Sequence, residues 1–340
     1  TKLGPRNHLA LIRHSNRAKI MVAVRKHGPV SRVQAAEITG LSLASVGRIV
    51  GDLITGGVLI EVGTVSGDRG RPMVMLDINP DGAPVAGIRL GPESIPVAVA
   101  NPSMEILARR EISYEPGKDS LEDNINTIVK GIQRCCEAAG KDPKSLAGVG
   151  VGAAGLVDPL LGVIDNLTNR RGWENVPIVQ LLEERLGVPV FADNDNRAAA
   201  ISSQWLSKEH RDGTTLYVYV AEGIGGAIVQ GRELLRGTHG AGGLIGHMTM
   251  DPDGILCGCG NKGCLETLGS DIAFIRHIWP ELEKTASDLD IEERAGLIRK
   301  GLQMAERGDA KAAWALVTVA QHLGIGIANA IALLDPQTVF

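Results

Sequence analysis

Gly28-Pro29-Val30-Ser31-Arg32-Val33-Gln34, then Thr39-Gly40-Leu41-Ser42, then Ile49 to Gly57 spell two short helices joined by a tight turn. Gly28-Pro29 stops an earlier helix, which Ile20, Ala23 and Val24 at i, i+3, i+4 spacing place at about residues 16–27. Ser31 followed three residues later by Gln34 is a capping-box start, and Gly40 supplies the stop. Ser42 caps a third helix whose Val46, Ile49, Val50 and Leu53 keep one apolar stripe as far as Thr55, before Gly56-Gly57. Such a pair is a helix-turn-helix, in which the second helix enters the major groove with its N-terminal residues toward the bases. Ser42, Ala44, Ser45 and Arg48 are the exposed candidates for that contact. Gly47 costs the helix roughly 1 kcal/mol against alanine and would let its backbone come close to DNA.

Two β-runs follow, Val58 to Val62 and Met73 to Asp77, with a glycine- and arginine-bearing loop between them. This is a hairpin wing whose tip carries Arg69 and Arg71, side chains suited to a narrow, electronegative minor groove. Charge agrees: residues 1–77 hold eleven Lys/Arg and five Asp/Glu, whereas the rest holds 24 and 34. A basic head on an acidic body is what a DNA-reading module joined to a small-molecule domain shows. The competing readings are chance clustering of charge and a winged module that makes only protein contacts.

At 340 residues the chain is long enough for two or three domains, and 44% hydrophobic with 22% charged residues describes an ordinary globular protein. Forty-three glycines against ten aromatics favour tight turns and close backbone approaches over an aromatic-cored sandwich. The long apolar stretch Leu316 to Leu334 is interrupted by Gln321, His322 and Asn329, so a buried amphipathic helix is expected there and no membrane insertion. Lys2, Arg6, Arg13 and two histidines near the start leave no apolar secretory core, which points to the cytoplasm.

Beyond Asn79-Pro80-Asp81-Gly82-Ala83-Pro84, which reads as a linker, apolar runs at Val85 to Ile88, Val97 to Ala100 and Gly148 to Gly152 alternate with a helix from about Leu121 to Ala139. This is an α/β body with strands ending in glycine turns. Its most specific motif is Gly246-His247, nine residues, Cys257-Gly258-Cys259-Gly260, three residues, Cys264-Leu265-Glu266. His247, Cys257, Cys259 and Cys264 supply the one imidazole and three thiolates that a tetrahedral structural Zn²⁺ needs, and the two glycines let the backbone fold tightly around an ion. Three clustered cysteines could instead be reactive or merely buried thiols. Cys135 and Cys136, adjacent in the expected helix, read as core thiols.

The order of these elements resembles the ROK family of repressors, open reading frames and kinases, and more particularly its xylose, N-acetylglucosamine and Mlc-type regulators. The resemblance runs from the Gly28-Pro29 and Ser66-to-Pro72 segments through the cysteine motif and over nearly the whole chain. It implies an N-terminal winged helix-turn-helix domain at 1–78 and, at 84–340, a two-lobed α/β body of the actin/hexokinase (ribonuclease H-like) type, a homodimer or homotetramer with its ligand between the lobes. It implies further that Asp195 corresponds to the kinase base, and that Asn169, Asn194, Asp195, His247 and Glu266 form a sugar cage. Where the family's cage has a glutamate this chain has Leu244, so an unmodified hexose is expected to bind weakly.

The phosphate loops depart from the family pattern. Arg89-Leu90-Gly91-Pro92-Glu93 replaces Asp-x-Gly-Gly-Thr, and Glu222 stands for a threonine in the second loop. Proline removes an N–H donor and the carboxylates repel triphosphate, so the expectation is a regulator binding operator DNA and a sugar-like effector, not an enzyme. A sugar kinase with an accessory DNA-binding head, or a ligand-independent DNA-binding scaffold, are the other readings. Family members continue past Phe340 with a glycine-rich adenosine loop and a closing helix, so the body reads as incomplete at its C-terminus.

Overall fold

The computed structural model describes residues 5–66, 72–91, 94–113, 120–167, 172–206, 213–231, 233–238, 240–282, 289 and 291–340. The chain begins with α1 (Pro5–His27), β1 (Val30–Ser31), α2 (Arg32–Thr39), α3 (Leu43–Thr55), β2 (Leu59–Val65) and β3 (Met73–Ile78). Ser31 and Gln34 form the expected capping box, and Gly40 closes α2 in the left-handed region at φ 68°. The turn sets α2 and α3 at 116°. The three strands make one antiparallel sheet, β1-β3-β2, with Val30 opposite Leu76 and Leu59 opposite Ile78. The apolar stripe read from α3 (Val46, Ile49, Val50, Leu53) is buried against Ile20, Val24 and Leu76. Two details differ from expectation: α1 starts at Pro5 rather than near residue 16, and Val30–Ser31 pairs as a strand before Ser31 caps α2.

A second sheet has the order β10-β7-β4-β5-β6, from β4 (Val85–Leu90), β5 (Ser94–Ala100), β6 (Ile106–Ser113), β7 (Gly148–Ala153) and β10 (Val190–Asn194). β4, β7 and β10 run parallel, while β4-β5-β6 is an antiparallel meander. One face packs on α4 (Leu121–Ala138) and α5 (Ile178–Leu186). Ile125, Ile128 and Ile132 of α4 are fully buried there, each burial being worth roughly 1.5–3 kcal/mol. Cys135 and Cys136 lie in the same core as expected, and burial pushes the Cys136 thiol up to about 11. A two-stranded ribbon, β8 (Gly155–Asp158) with β9 (Val163–Leu167), sits beyond β7.

The third sheet, β13-β12-β11-β14, follows α6 (Asp195–Leu206) and contains β11 (Thr214–Val220), β12 (Ile224–Gln230), β13 (Glu233–Leu234) and β14 (Thr338–Val339). Its helices are α7 (Leu265–Gly269), α8 (Asp271–Ile278), α9 (Ile291–Glu306) and α10 (Ala310–Leu334). The expectation for α10 needs correction. It packs against α7, α8 and α9, but only Ala312, Ala315, Gly326 and Ala330 are buried, and it is the one described helix that is by itself long and apolar enough to cross a membrane. Its apolar residues surround the helix instead of forming one stripe, so a single neighbouring layer cannot cover them.

Candidate functional site

The strand-to-helix junction Asp193-Asn194-Asp195 lies where β10 ends and α6 begins. Asn194 Oδ1 accepts from the Asn196 and Arg197 N–H groups at 3.0 and 3.3 Å, and its amide donates to the Gly155 carbonyl at 3.0 Å. Its side-chain polar atoms are thus engaged by backbone, as in a helix cap. Asp195 is held on both oxygens: Arg89 Nε donates to Oδ2 at 3.0 Å and Asn196 Nδ2 to Oδ1 at 3.2 Å. Burial works against the Arg89 charge, but the Asp195 carboxylate together with Tyr219 and Glu222 raises the guanidinium above its usual range. Asp193 is similarly neutralised, by Arg197 at 3.2 Å and Arg236 at 2.6 Å.

Gly223 and Gly225, which flank Ile224 in the second loop, admit side chains of this chain. An added Cβ on Gly225 would fall 2.2 Å from Asn196 Nδ2, and one on Gly223 would fall 2.5 Å from Glu266 Oε2. Glu266 Oε2 also accepts the Ile224 N–H at 3.0 Å. Glu222, expected as a bare repelling carboxylate, has a partner: Arg294 lies 3.5 Å away and is 3.8 Å from Asp271. Burial, with a contribution from Glu222, pushes Asp271 up to about 6 despite that arginine.

Around Glu266 the four expected metal ligands converge. The ligand atoms of His247, Cys257, Cys259 and Cys264 all lie within 4.8 Å of one another. Cys257 Sγ is 3.7 Å from His247 Nδ1, and Cys259 Sγ is 3.7 Å from Cys264 Sγ. A tetrahedron with bonds of about 2.3 Å has edges of about 3.8 Å, so the donor set fits a four-coordinate ion. Gly260 makes the tight turn at φ 90°. Burial raises the Cys257 and Cys264 thiols, a cost that a bound divalent cation reverses by favouring thiolate. Cys264 caps α7, which carries Glu266, so the cluster, α7 and the β11–β12 turn form one connected unit.

In the N-terminal segment, Ser42 caps α3 by accepting from Ser45 N at 3.3 Å. Ala44 and Arg48 are exposed as expected, whereas Ser45 is half-buried and hydrogen-bonded to Ser42. Arg69, Arg71, Pro92, Glu93 and Asn169 lie outside the described residues. Arg197, Arg236, Arg294 and Asn196 were missed. Only Arg197, four residues after Asp193 at a helix start, had a sequence signal.

The ROK family profile matches residues 85–340. The chain belongs to the ROK family. It is 32% identical over 339 residues to a "Putative xylose repressor" of Caldicellulosiruptor sp. (strain Rt8B.4), covering 98% of this chain and 84% of that one. It is 29% identical to the DNA-binding transcriptional dual regulator NagC of Escherichia coli, over 97% of this chain and 80% of that protein. Among solved structures, a ROK family transcriptional regulator described as a homologue of the E. coli MLC protein superposes with TM-score 0.77 at 25% identity, covering 96% of this chain and 82% of that one. The ROK hexokinase of Thermus thermophilus gives 0.62 at 32% identity, over 75% of this chain and 80% of that one. The body is accordingly the α/β hexokinase-like body of ROK proteins.

Proposed function

We propose that the protein is a ROK-type transcriptional repressor acting in the cytoplasm as a homo-oligomer. Residues 1–78 form a winged helix-turn-helix on operator DNA, and residues 84–340 sense a carbohydrate-like effector. One observation carries this reading: the repressor relatives cover 96–98% of the chain, whereas the hexokinase covers 75%. The kinases share the body, and the repressors share the head as well. The 116° crossing of α2 and α3, with a β-ribbon behind them, is a helix-turn-helix geometry and supports it. The metal of the His/Cys cluster is a structural Zn²⁺, since four protein ligands leave no open position.

The kinase reading is the less favoured, because phosphoryl transfer needs a free base and phosphate cradles. Asp195 is engaged on both oxygens, and the glycines of the second loop are packed by Asn196 and Glu266. Selection of bound duplexes from a randomised pool, followed by gel-shift at several salt concentrations, tests the proposal. The expected result is retention of paired half-sites spaced by whole helical turns, with Arg48→Ala weakening binding. Arg69→Ala and Arg71→Ala should each flatten the salt slope by about 0.9 if each contacts one phosphate. Hexose phosphorylation without DNA retention overturns it.

A further inference from the structure

The outward face of α3 is nearly bare of hydrogen-bonding groups. At about 100° per residue Leu43, Ala44, Gly47, Arg48 and Gly51 share one side of the helix, opposite the buried Val46, Ile49, Val50 and Leu53. Leu43, the first helical residue, is 54% exposed and lies outside the apolar cluster that those four residues join. The neighbouring hydroxyls are spent on the cap: Ser42 Oγ donates to Ser45 Oγ at 3.0 Å and accepts the Ser45 N–H at 3.3 Å. Asp52, on the flank, lies 3.4 Å from Arg17. Arg48 is therefore the one residue of this face whose side chain carries donors, and it has no hydrogen-bond or ion-pair partner among the described residues.

The two glycines of this face have no internal reason to be glycine. Gly47 and Gly51 are one turn apart, neither has a positive φ, and an added Cβ at either meets nothing within 4 Å. Each weakens the helix against alanine, and each permits a close approach of something else to the backbone. A helix-turn-helix brings the major groove to this part of its second helix, where the N-terminal residues meet the base edges. Among the four bases, thymine alone presents a methyl group there.

We propose that Leu43 is a specificity-determining residue, which packs on the C5-methyl group of a thymine in each operator half-site. The bare backbone at Gly47 lets the helix sit close to the bases, and Arg48, just over a turn on, supplies donors to acceptors beside that thymine. Ser42 and Ser45 hold the cap that presents Leu43. The inference rests on the DNA-binding reading above, and what it adds is the chemical group that is read: an apolar methyl in place of a donor and acceptor pattern.

The test uses the full chain and the duplex selected from a randomised pool, with each thymine replaced in turn by deoxyuridine, which lacks the methyl group and keeps the hydrogen-bonding edge. Gel-shift should find one thymine per half-site whose replacement weakens wild-type binding about fourfold, as the loss of one buried methyl group does. Leu43→Ala should bind the thymine duplex more weakly than the wild type and lose the discrimination at that position. The salt slope should be the same for both proteins on both duplexes, since no phosphate contact is lost. Selection repeated with Leu43→Gln should no longer return that thymine, with adenine favoured in its place because a glutamine amide bonds adenine N6 and N7 together. Wild-type binding indifferent to every deoxyuridine, a loss just as large in Leu43→Ala, or the same deoxyuridine-sensitive thymine returned by Leu43→Gln each overturns the proposal and leaves DNA binding standing. Retention of no duplex by the wild type overturns both.

Discussion

Arg89 Nε lies 3.0 Å from Asp195 Oδ2 and joins β4 to the first residue of α6. With Asn196 on the other oxygen, the carboxylate that would accept a hydroxyl proton in a kinase is committed to two fixed donors. Arg89 stands where the resemblance implies an acidic residue, so one position both removes a phosphate-site acid and ties up the base. The body shares the architecture of the ROK hexokinase, with Asp195 paired to Arg89 and Asn196.

Breaking that pair should cost stability mainly through what is left behind. Asp195 is 10% exposed and Arg89 41% exposed. Arg89→Met leaves a nearly buried carboxylate short of a partner and should destabilise by about 1–3 kcal/mol, less than for a fully buried pair because water reaches the arginine. Asp195→Asn in the same chain should restore much of the loss. Urea unfolding of the four members of the cycle measures the coupling, and additive effects would show that the pair contributes nothing.

The elements were legible wherever a local rule acts: the Ser31/Gln34 box, the Gly40 stop, the α3 stripe and the His/Cys₃ spacing each reappear in the structure. What escaped was set by distant partners. Arg89 meets Asp195 across 106 residues, and Arg294 meets Glu222 across 72, separations at which no periodicity speaks. The alignment of Ala98, Gly87 and Gly150 across β5, β4 and β7 is likewise a product of register, which strands acquire only when they pair. The exposure of α10 was misjudged because mean apolarity says nothing of what covers a helix.

Protein purified without chelator should carry one zinc per chain, and Cys259→Ser should lower that content. An ion held at about 100 times its Kd stabilises by about 2.7 kcal/mol, or roughly 5–11 °C in a body of this size. Metal analysis with melting in and out of chelator checks this; a metal-free chain with an unchanged melt would refute a structural ion.

Gly47 sits inside α3, and an added Cβ there meets nothing within 4 Å. Gly47→Ala should therefore stabilise the helix by about 0.8–1 kcal/mol while weakening operator binding, because the methyl group holds the backbone off the groove. Thermal melts paired with gel-shift separate the two effects. A gain in stability with unaltered affinity would place residue 47 away from DNA.

Asp271, pushed up to about 6 by burial and by Glu222 against the pull of Arg294, carries a pH dependence of definite sign. The folded state holds its proton at a pH where the unfolded chain has released it, so this group's stabilisation is full below about pH 4 and lost as pH rises through 6. Asp271→Asn should thus stabilise the protein by roughly 2–3 kcal/mol at pH 7.5 and by little near pH 4. Unfolding of both proteins across that range, read as their difference, cancels the other titrating groups; a pH-independent difference would contradict the shift.

Leu244 bears on the effector. It is the N-cap residue of the 3-10 turn Ile245–His247, is half-buried, and its carbonyl accepts the His247 N–H at 3.1 Å. A glutamate there would accept from a sugar hydroxyl; leucine cannot, and burying a hydroxyl without a partner costs about 1–3 kcal/mol, or roughly 5- to 150-fold in affinity. An unmodified hexose should accordingly bind the wild type weakly, and a deoxy or substituted sugar with an apolar face should bind better. Leu244→Glu should reverse that order. Calorimetry of both proteins with a panel of hexoses, amino sugars and deoxy sugars reads the preference directly. Tight glucose binding by the wild type would show that the missing acceptor does not matter, whereas glucose binding gained only in the variant would make residue 244 the selector between plain and modified sugars.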